Sequence, residues 1–318
     1  MTQPLVVTGG TGLLGTAIRR IRPDAVFLSR VDGDLREPSV VRRIFEQIRP
    51  AQVLHLAGLV GGVKANATDN CQFLEDNALL NVSVLGAARL LRVPKLVAML
   101  SSCAFPLFPN RATTETDLQS ELPYDGNAGY GSTKRLLDLH VRLVAKEEGL
   151  RWTTLAPVTM YGPHDSFDPE RGHVVGSLIR RCWEASIKGT PYVVWGNGLA
   201  VRQFVFVEDV ARLALAAFAD DLPPETTIVA PDEGVTIRAL AEIIAQVMGY
   251  GGPIHFDRSQ PEGVLVKRLR SETFLRRFPT YRFTPLREGI EATIRWFRME
   301  LPTEEPAACG ESPLCRQS

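Results

Sequence analysis

The stretch Gly9-Gly10-Thr11-Gly12-Leu13-Leu14-Gly15 decides the fold of this 318-residue chain. It follows an apolar run at residues 5–8 and precedes a run at residues 16–20 that has the character of a helix. A strand, a glycine-rich turn and a helix in this order open a βαβ unit, whose glycines allow close backbone approach to a pyrophosphate. The residues that we predict to bind a dinucleotide here are Gly9, Thr11, Gly12, Leu13, Leu14 and Gly15.

Beyond this turn, apolar strands alternate with helices as far as about residue 160. We predict strands at residues 26–28, 53–57, 96–100 and 152–156, and helices at residues 40–48, 73–91 and 130–148. This alternation predicts an α/β fold with a Rossmann-type doubly wound parallel sheet, covered by helices on both faces. We assign residues 1–160 to a dinucleotide-binding domain.

The second half of the chain is less regular and richer in glycine and proline. Residues 204–207 and a helix at 209–219 are predicted to return to the sheet, so that residues 204–220 complete the first domain. Amphipathic helices are predicted at 235–248 and 287–297. Residues 161–203 and 221–300 then form a smaller C-terminal substrate-binding lobe over the carboxyl edge of the sheet, where such folds bind ligands. Residues 301–318 are predicted to be a disordered tail.

Charge and composition exclude several classes of protein. Lysine and arginine balance aspartate and glutamate at 36 each, which argues against nucleic acid or a membrane surface as the main partner. The N-terminus lacks the basic region of a signal peptide, and no apolar run is long enough to span a bilayer. The five cysteines form no Cys-x-x-Cys pair, which favours free thiols, no metal site and a cytoplasmic location.

Three side chains predict reduction of a carbonyl group. Tyr130 and Lys134 are four residues apart on a predicted helix, so they share one face, and Ser101 follows a predicted strand. An ammonium group near a phenol stabilises the phenolate, which would let the tyrosine exchange a proton near neutral pH. A serine hydroxyl that holds the carbonyl oxygen and a nicotinamide that delivers hydride would complete a ketone reductase.

The end of the second predicted strand indicates which cofactor is used. It reads Phe27-Leu28-Ser29-Arg30 and lacks the carboxylate with which NAD-preferring folds bind the ribose 2′-hydroxyl. Arg30 suits a 2′-phosphate, so we predict NADP(H), although a solvated surface arginine is the alternative. Asp34, a few residues further on, is predicted to contact the adenine.

Longer segments carry a resemblance to a known family. They are Val60-Gly61-Gly62-Val63-Lys64-Ala65-Asn66, Ser101-Ser102-Cys103-Ala104-Phe105-Pro106, Tyr161-Gly162-Pro163-His164-Asp165, Val194-Trp195-Gly196-Asn197-Gly198 and Arg202-Gln203-Phe204-Val205-Phe206-Val207-Glu208-Asp209. From residue 5 to 298 the chain resembles the GDP-L-fucose synthase family of the extended short-chain dehydrogenase/reductases. The resemblance implies epimerisation of a nucleotide-linked 4-keto-6-deoxysugar at C3 and C5 and reduction at C4 with NADPH. It also implies a homodimer formed by the helices near 73–91 and 130–148.

The resemblance assigns roles to individual residues. Ser101, Tyr130 and Lys134 would carry out the reduction, while Cys103 and His173 would exchange protons at C3 and C5. A thiol and an imidazole suit these roles because both titrate near neutral pH when their surroundings tune them. Further residues implied at the cofactor are Leu56, Ala57, Pro157 and His173, in addition to Tyr130 and Lys134. Those implied at the nucleotide sugar are Ser102, Arg181, Trp195, Arg202 and Lys267.

Four positions depart from the family pattern and keep other functions open. Thr159 and Ser166 replace asparagines, Val266 replaces a basic residue, and Arg270 replaces an aspartate. The sugar and the base could therefore differ, and the enzyme alternative is an extended short-chain reductase, epimerase or dehydratase acting on another nucleotide sugar. A nonenzymatic NADP(H)-sensing protein is a further alternative, although such proteins typically lose the tyrosine or the lysine. His55, inside an apolar strand, is predicted to be a packed core residue.

Overall fold

A computed structural model of the chain describes residues 4–61, 68–108, 110–169, 172–219, 224–260 and 263–301. Most of the Val-Gly-Gly segment at 60–66 and the predicted tail after residue 301 lie outside the described residues. None of the helices in these ranges combines the length and the apolar character that crossing a bilayer requires.

The strands and helices have the following bounds in chain order. The strands are β1 (Leu5–Thr8), β2 (Val26–Leu28), β3 (Gln52–His55), β4 (Lys95–Met99), β5 (Arg151–Pro157), β6 (Thr159–Tyr161), β7 (Tyr192–Trp195), β8 (Val201–Arg202), β9 (Phe204–Phe206), β10 (Thr227–Val229), β11 (Val235–Thr236) and β12 (Ile254–Asp257). The helices are α1 (Leu13–Ile21), α2 (Pro38–Ile48), α3 (Asn70–Leu90), α4 (Ala128–Glu148), α5 (Val174–Lys188), α6 (Val207–Ala219), α7 (Ile237–Met248), α8 (Glu272–Arg277) and α9 (Leu286–Glu300).

A six-stranded sheet in the order β2-β1-β3-β4-β5-β10 forms the centre of the fold, and all its neighbouring strands are parallel. Its strands are short apolar runs with nearly every residue buried, as expected when helices cover both faces. The chain leaves β1 towards β2 on one side and returns to β3 on the other. This reversal opens a crevice at the carboxyl ends of β1 and β3. The predicted Rossmann-type α/β class is confirmed.

One predicted return to the sheet is wrong. Residues 204–207 were expected to rejoin the main sheet, but β9 pairs with β6 in a separate two-stranded sheet. The chain bends at Val158, directly after β5, and β6 on the other side of this bend pairs with β9 instead of the main sheet. The edge position beside β5 belongs to β10, a strand that the sequence pattern did not indicate.

The residues after β5 also build a second hydrophobic cluster, separate from the cluster around the main sheet. Its helices α5, α7 and α9 pack on one another, and two-stranded sheets join β12 to β7 and β11 to β8. The amphipathic helices predicted at 235–248 and 287–297 are present as α7 and α9, each with its apolar face in this cluster. This part of the chain forms the wall opposite the carboxyl ends of the main sheet.

Candidate active site

A cleft of about 1090 Å³ extends from the glycine turn along the carboxyl ends of the strands to α5 and β7. It brings together residues from distant parts of the chain, including all the predicted site residues except Lys134, whose side chain lies beneath the cleft wall. The volume is at the upper end of the range for small-molecule sites, so the cleft has room for more than one compact ligand.

The glycine turn has the shape that a dinucleotide requires. Gly9 has a φ of 71°, and a side chain there would meet the backbone of Ala57 at 2.8 Å. A methyl group on Gly15 would lie 2.4 Å from the carbonyl oxygen of Gly9, so α1 packs against the turn only because this position has no side chain. Helix α1 starts after Gly12 with no acidic residue in its first turn, which suits an anionic pyrophosphate.

Buried hydrogen bonds hold β3 against this turn. The Thr8 hydroxyl accepts hydrogen bonds from the N–H groups of Leu56 and Ala57 and lies 2.8 Å from Nδ1 of His55. His55 is 1% exposed and also contacts the amide oxygen of Asn81. Burial, followed by the charge of Lys134, lowers the pKa of His55 to about 4. The predicted structural role of His55 is confirmed.

The end of the cleft beside β2 contains an ion network that was not predicted from the sequence. The Arg36 guanidinium donates to both carboxylate oxygens of Asp34, at 2.7–3.0 Å, and to Asp76 at 2.6 Å. Its hydrogen bonds to Asp34 are the main cause of the lowered pKa of that carboxyl group. Arg30 lies exposed at the same end, in a short 3₁₀ helix at Arg30–Asp32. The spacing Asp34-x-Arg36 is the sequence feature from which the pair of Arg36 with Asp34 could have been predicted.

Helix α4 places Tyr130 and Lys134 on one face, as predicted. Lys134 is 4% exposed, its Nζ donates to the carbonyl of Met99 at 2.8 Å, and it lies 5.5 Å from the centre of the Tyr130 ring. Burial lowers the pKa of Lys134 to about 8. The ammonium group is therefore fixed between the end of β4 and the phenol.

The pKa of Tyr130 depends mainly on how deeply the phenol is buried. Burial, with a smaller contribution from the charge of Cys103, raises the pKa of Tyr130 above its ordinary value, and a hydrogen bond with Ser101 only partly opposes this. Burial of the phenol thus acts against the predicted effect of Lys134, whose ammonium group donates to a main-chain carbonyl. The phenol thus keeps its proton at neutral pH and is suited to donate it.

The pKa of Cys103 is shifted in the opposite direction to that of Tyr130. It lies in a 3₁₀ turn at Ser102–Ala104, where its N–H donates to the Ser101 hydroxyl at 3.2 Å. Burial by itself would raise the pKa of Cys103, but the charge of Lys267 and hydrogen bonds from Ser101, Lys267 and Asn127 outweigh it. The resulting pKa is below the ordinary value of a thiol, and the side chain is suited to act as a base. Neither Asn127 nor the contact with Lys267 was foreseen.

His173 immediately precedes α5 and faces the same cleft. Its Nδ1 lies 3.5 Å from the carboxylate of Asp165, whose side chain is 2% exposed. The hydrogen bond to Asp165 raises the pKa of His173, burial opposes this, and the charge of Cys103 adds to it. The imidazole is therefore suited to act as an acid. Asp165 belongs to a segment singled out in the sequence, although no role was predicted for it.

The basic side chains predicted at the nucleotide sugar line the other end of the cleft. The Arg181 guanidinium stacks 3.8 Å above the ring centre of Trp195, which is half-buried. The Arg202 guanidinium donates to the carbonyls of Val201 and Val264, and burial lowers its pKa. Arg181, Arg202 and Lys267 thus give this end of the cleft a positive charge, although the formal net charge of the whole chain is zero.

Comparisons with known proteins identify the family of this chain. The family model described as "NAD dependent epimerase/dehydratase family" matches residues 5–230. The probable GDP-L-fucose synthase of Drosophila melanogaster is 32% identical, with 93% of this chain and 97% of the relative covered. The GDP-L-fucose synthase of Escherichia coli (strain K12) is also 32% identical, covering 93% and 96%.

Solved structures show the same relationship. The crystal structure of a GDP-L-fucose synthetase from Naegleria fowleri bound to NADP has a TM-score of 0.87 and 34% sequence identity, with 94% of each chain covered. Similarity at this level spans both the main sheet and the wall that faces it. The chain belongs to the NAD dependent epimerase/dehydratase family, and within it to the GDP-L-fucose synthase family.

Proposed function

We propose that this chain is an NADPH-dependent enzyme that epimerises a GDP-linked 4-keto-6-deoxysugar at C3 and C5 and reduces it at C4. The observation that carries the proposal is that one cleft contains two sets of reactive groups. Cys103 and His173 form an acid–base pair, while Ser101 and Tyr130 are hydroxyls suited to bind a carbonyl oxygen. The relatives named GDP-L-fucose synthase support this pairing of reactions.

The acid–base pair accounts for epimerisation. A ketone at C4 acidifies the hydrogens at C3 and C5, because the electron pair released on deprotonation moves onto the ketone oxygen. The Cys103 thiolate takes the proton from carbon, and the His173 imidazolium returns a proton to the opposite face, so the carbon is inverted. Each inversion leaves a neutral thiol and a neutral imidazole, which recover their protonation states by exchange with water before the next one.

The hydroxyl groups serve both reactions. Ser101 and Tyr130 donate hydrogen bonds to the oxygen at C4, where negative charge develops during deprotonation. NADPH, when bound, supplies the hydride that reduces C4. Tyr130 then gives its proton to the same oxygen, and the nearby Lys134 ammonium favours the phenolate that remains.

The residues that would hold the cofactor fit an NADP molecule. The glycine turn at residues 9–15 and the start of α1 suit its pyrophosphate, and Asp34 suits the adenine. Arg36 already contacts two carboxylates, so Arg30 is the better partner for the 2′-phosphate. The NADP-bound relative, at 34% identity, supports this choice of cofactor.

The basic end of the cleft would bind the nucleotide diphosphate. Arg181, Arg202 and Lys267 would pair with the phosphate oxygens, and the Trp195 face would contact the base or sugar. Ser102, buried beside Ser101 and Cys103, would contact the sugar. Of the four positions that depart from the family pattern, Thr159 lines the described cleft, whereas the other three lie outside its lining. This favours a substrate close to that of the family over an unrelated nucleotide sugar.

The active form is proposed to be a cytoplasmic homodimer built on α3 and α4. These helices pack on each other and carry exposed apolar side chains, which are Leu74, Leu79, Val82, Leu136, Leu139 and Leu143. A second copy of the chain would bury this surface. Light scattering after size exclusion should give a dimer for the native chain and a monomer for a variant with Leu139→Lys and Leu143→Lys. A monomeric native chain would contradict the proposal.

The chain is proposed to divide into a cofactor domain and a substrate lobe, with β10, Leu269 and Phe274 on the side of the cofactor domain although they follow residue 221. The two hydrophobic clusters are separate, and the reactive groups of the cleft come from both sides of the boundary between them. The proposed cofactor residues lie mainly on or beside elements whose apolar side chains build the first cluster, and Arg181 and Trp195 lie on elements of the second.

The deciding experiment is turnover in deuterated water. The purified chain is incubated with NADPH and GDP-4-keto-6-deoxy-D-mannose, and the product is analysed for deuterium at C3 and C5. We expect NADPH oxidation together with one solvent deuterium at each carbon. Oxidation without label would show a simple reductase, and no reaction here together with turnover of another nucleotide 4-ketosugar would show a different substrate.

A further inference from the structure

Lys267 lies against the sulfur of Cys103, although 164 residues separate them in the chain. Its Nζ is 3.4 Å from the cysteine Sγ, within hydrogen-bonding distance for sulfur. The sequence prediction for this lysine is contact with the substrate. The contact places an ammonium group directly beside the thiol that is proposed to act as a base.

The backbone around Lys267 is fixed on both sides. On one side, its N–H donates to the carbonyl of Val201 at 3.2 Å. On the other side, Thr113 accepts from the N–H of Arg270 and donates to the carbonyl of Arg268, each at 2.9 Å. The buried amide of Gln203 holds the same segment through two hydrogen bonds to the backbone of Leu269. These hydrogen bonds therefore fix the extended segment that carries Lys267 at the cleft.

The charged and titratable groups that face Cys103 come from several elements. Besides Lys267 they are His173, Arg202 and Tyr130, each of which interacts electrostatically with the thiol. His173 directs its Nδ1 to Asp165, and the guanidinium of Arg202 donates to two main-chain carbonyls. Among the described residues, the cation that hydrogen-bonds to the cysteine sulfur is Lys267.

We propose that Lys267 is the counter-ion of the Cys103 thiolate and maintains it before any substrate enters the cleft. The thiol proton leaves to water, and the ammonium group keeps its own protons and donates one N–H to the sulfur. Lys267 is then a positioning residue for the base of the epimerisation, in addition to any contact with phosphate. The catalytic meaning of this inference rests on the function proposed above.

The rate at which iodoacetamide alkylates Cys103 tests the pair directly, because only the thiolate reacts. The rate is measured from pH 5 to 10 on the full chain without sugar, and mass spectrometry of the Cys103 peptide separates it from the other cysteines. In Lys267→Met we expect the midpoint to rise by about one pH unit or more, and the rate at pH 7 to fall about tenfold. Lys267→Arg keeps the charge and should retain most of the native rate.

A matched control removes a lysine elsewhere. Lys188 is exposed and paired with Glu184 at 3.7 Å, so Lys188→Met should leave the alkylation profile of Cys103 unchanged. Circular dichroism and thermal melting confirm that each variant is folded. Lys267→Gln serves as a second neutral variant in case the methionine disturbs the segment.

The outcomes separate this inference from the proposed function. Native profiles in both neutral variants would overturn the counter-ion role, since a lysine that acts only on the substrate would have no effect without sugar. Failure of the native chain to incorporate deuterium at C3 and C5 would refute the epimerase instead, while a shifted profile would still establish the Lys267–Cys103 pair.

Discussion

The carboxylate of Asp165 lies 3.5 Å from Nδ1 of His173, and the aspartate side chain is almost completely buried while the imidazole faces the cleft. One carboxylate oxygen accepts the N–H of Ser166, and the other has no hydrogen-bond partner among the described residues. The hydrogen bond between the two side chains is the main cause of the raised pKa of His173. Asp165 therefore favours the protonated form of His173.

We predict that Asp165→Asn weakens epimerisation on the alkaline side of its pH profile. The hydrogen bond to Asp165 raises the pKa of His173, so the native imidazole stays protonated to a higher pH. In the variant this pKa falls, and the alkaline limb of deuterium incorporation should move to lower pH. At a fixed pH on that limb, the rate should fall about tenfold for every pH unit by which the limb moves.

The control for this prediction is Ser166→Ala. Ser166 contacts Asp165 through its main-chain N–H, so removing its hydroxyl should leave the profile unchanged. NADPH oxidation with a substrate that is already epimerised should also be nearly native in Asp165→Asn. An unmoved alkaline limb in the variant would mean that Asp165 only supports the loop before α5.

Tyr130→Phe should separate the two reactions. The variant lacks the proton donor for the oxygen at C4, and loss of a general acid typically costs about 10²–10⁴-fold in rate. We therefore expect NADPH oxidation to fall by this factor, while deuterium exchange at C3 and C5 falls less, because Cys103, His173 and the second donor to the C4 oxygen, Ser101, remain. Tyr124→Phe, which changes an exposed phenol on the same cleft, is the control. Equal losses of reduction and exchange would contradict this separation and make Tyr130 as important for epimerisation as for reduction.

The sequence predicted the parts of this site that are encoded locally. The glycine turn follows directly from one strand–turn–helix segment, and Tyr130 and Lys134 meet because a helix brings residues four apart together. The main sheet also followed from the alternation of strands and helices up to residue 160, where each strand is a short apolar run.

Contacts between distant segments could not be predicted in this way. The approach of Lys267 to Cys103 depends on backbone pairing of its segment with Val201 and Thr113, which no local pattern encodes. The edge strand β10, three residues at Thr227–Val229, was missed because it lies beyond the regular alternation of strands and helices from which β2, equally short, was predicted. The raised pKa of Tyr130 required knowing how completely the phenol is buried.

Arg30 and Arg36 should have different effects on cofactor choice. Arg30→Ala removes the proposed partner of the 2′-phosphate, so the ratio of kcat/KM for NADPH over NADH should fall at least about tenfold. Arg36→Ala frees Asp34 and Asp76 from their shared guanidinium and should weaken both cofactors to a similar extent. Steady-state kinetics with both cofactors measures this. If the NADPH/NADH ratio of kcat/KM is unchanged in Arg30→Ala but collapses in Arg36→Ala, then Arg36 is the partner of the 2′-phosphate and the assignment to Arg30 is wrong.

Gly15→Ala should destabilise the chain and weaken cofactor binding. The added methyl group would lie 2.4 Å from the carbonyl oxygen of Gly9 and 2.8 Å from the backbone of Gly10, so α1 must move away from the turn. Overpacking of this kind typically costs about 1–3 kcal/mol. We expect urea unfolding to show a loss in this range and NADPH titration to show weaker binding. Gly251→Ala, where an added methyl group meets open space and φ is not positive, should change stability by less than about 0.5 kcal/mol. Native stability and native NADPH affinity in Gly15→Ala would show that the turn tolerates a side chain, contrary to the close packing of α1 on Gly9.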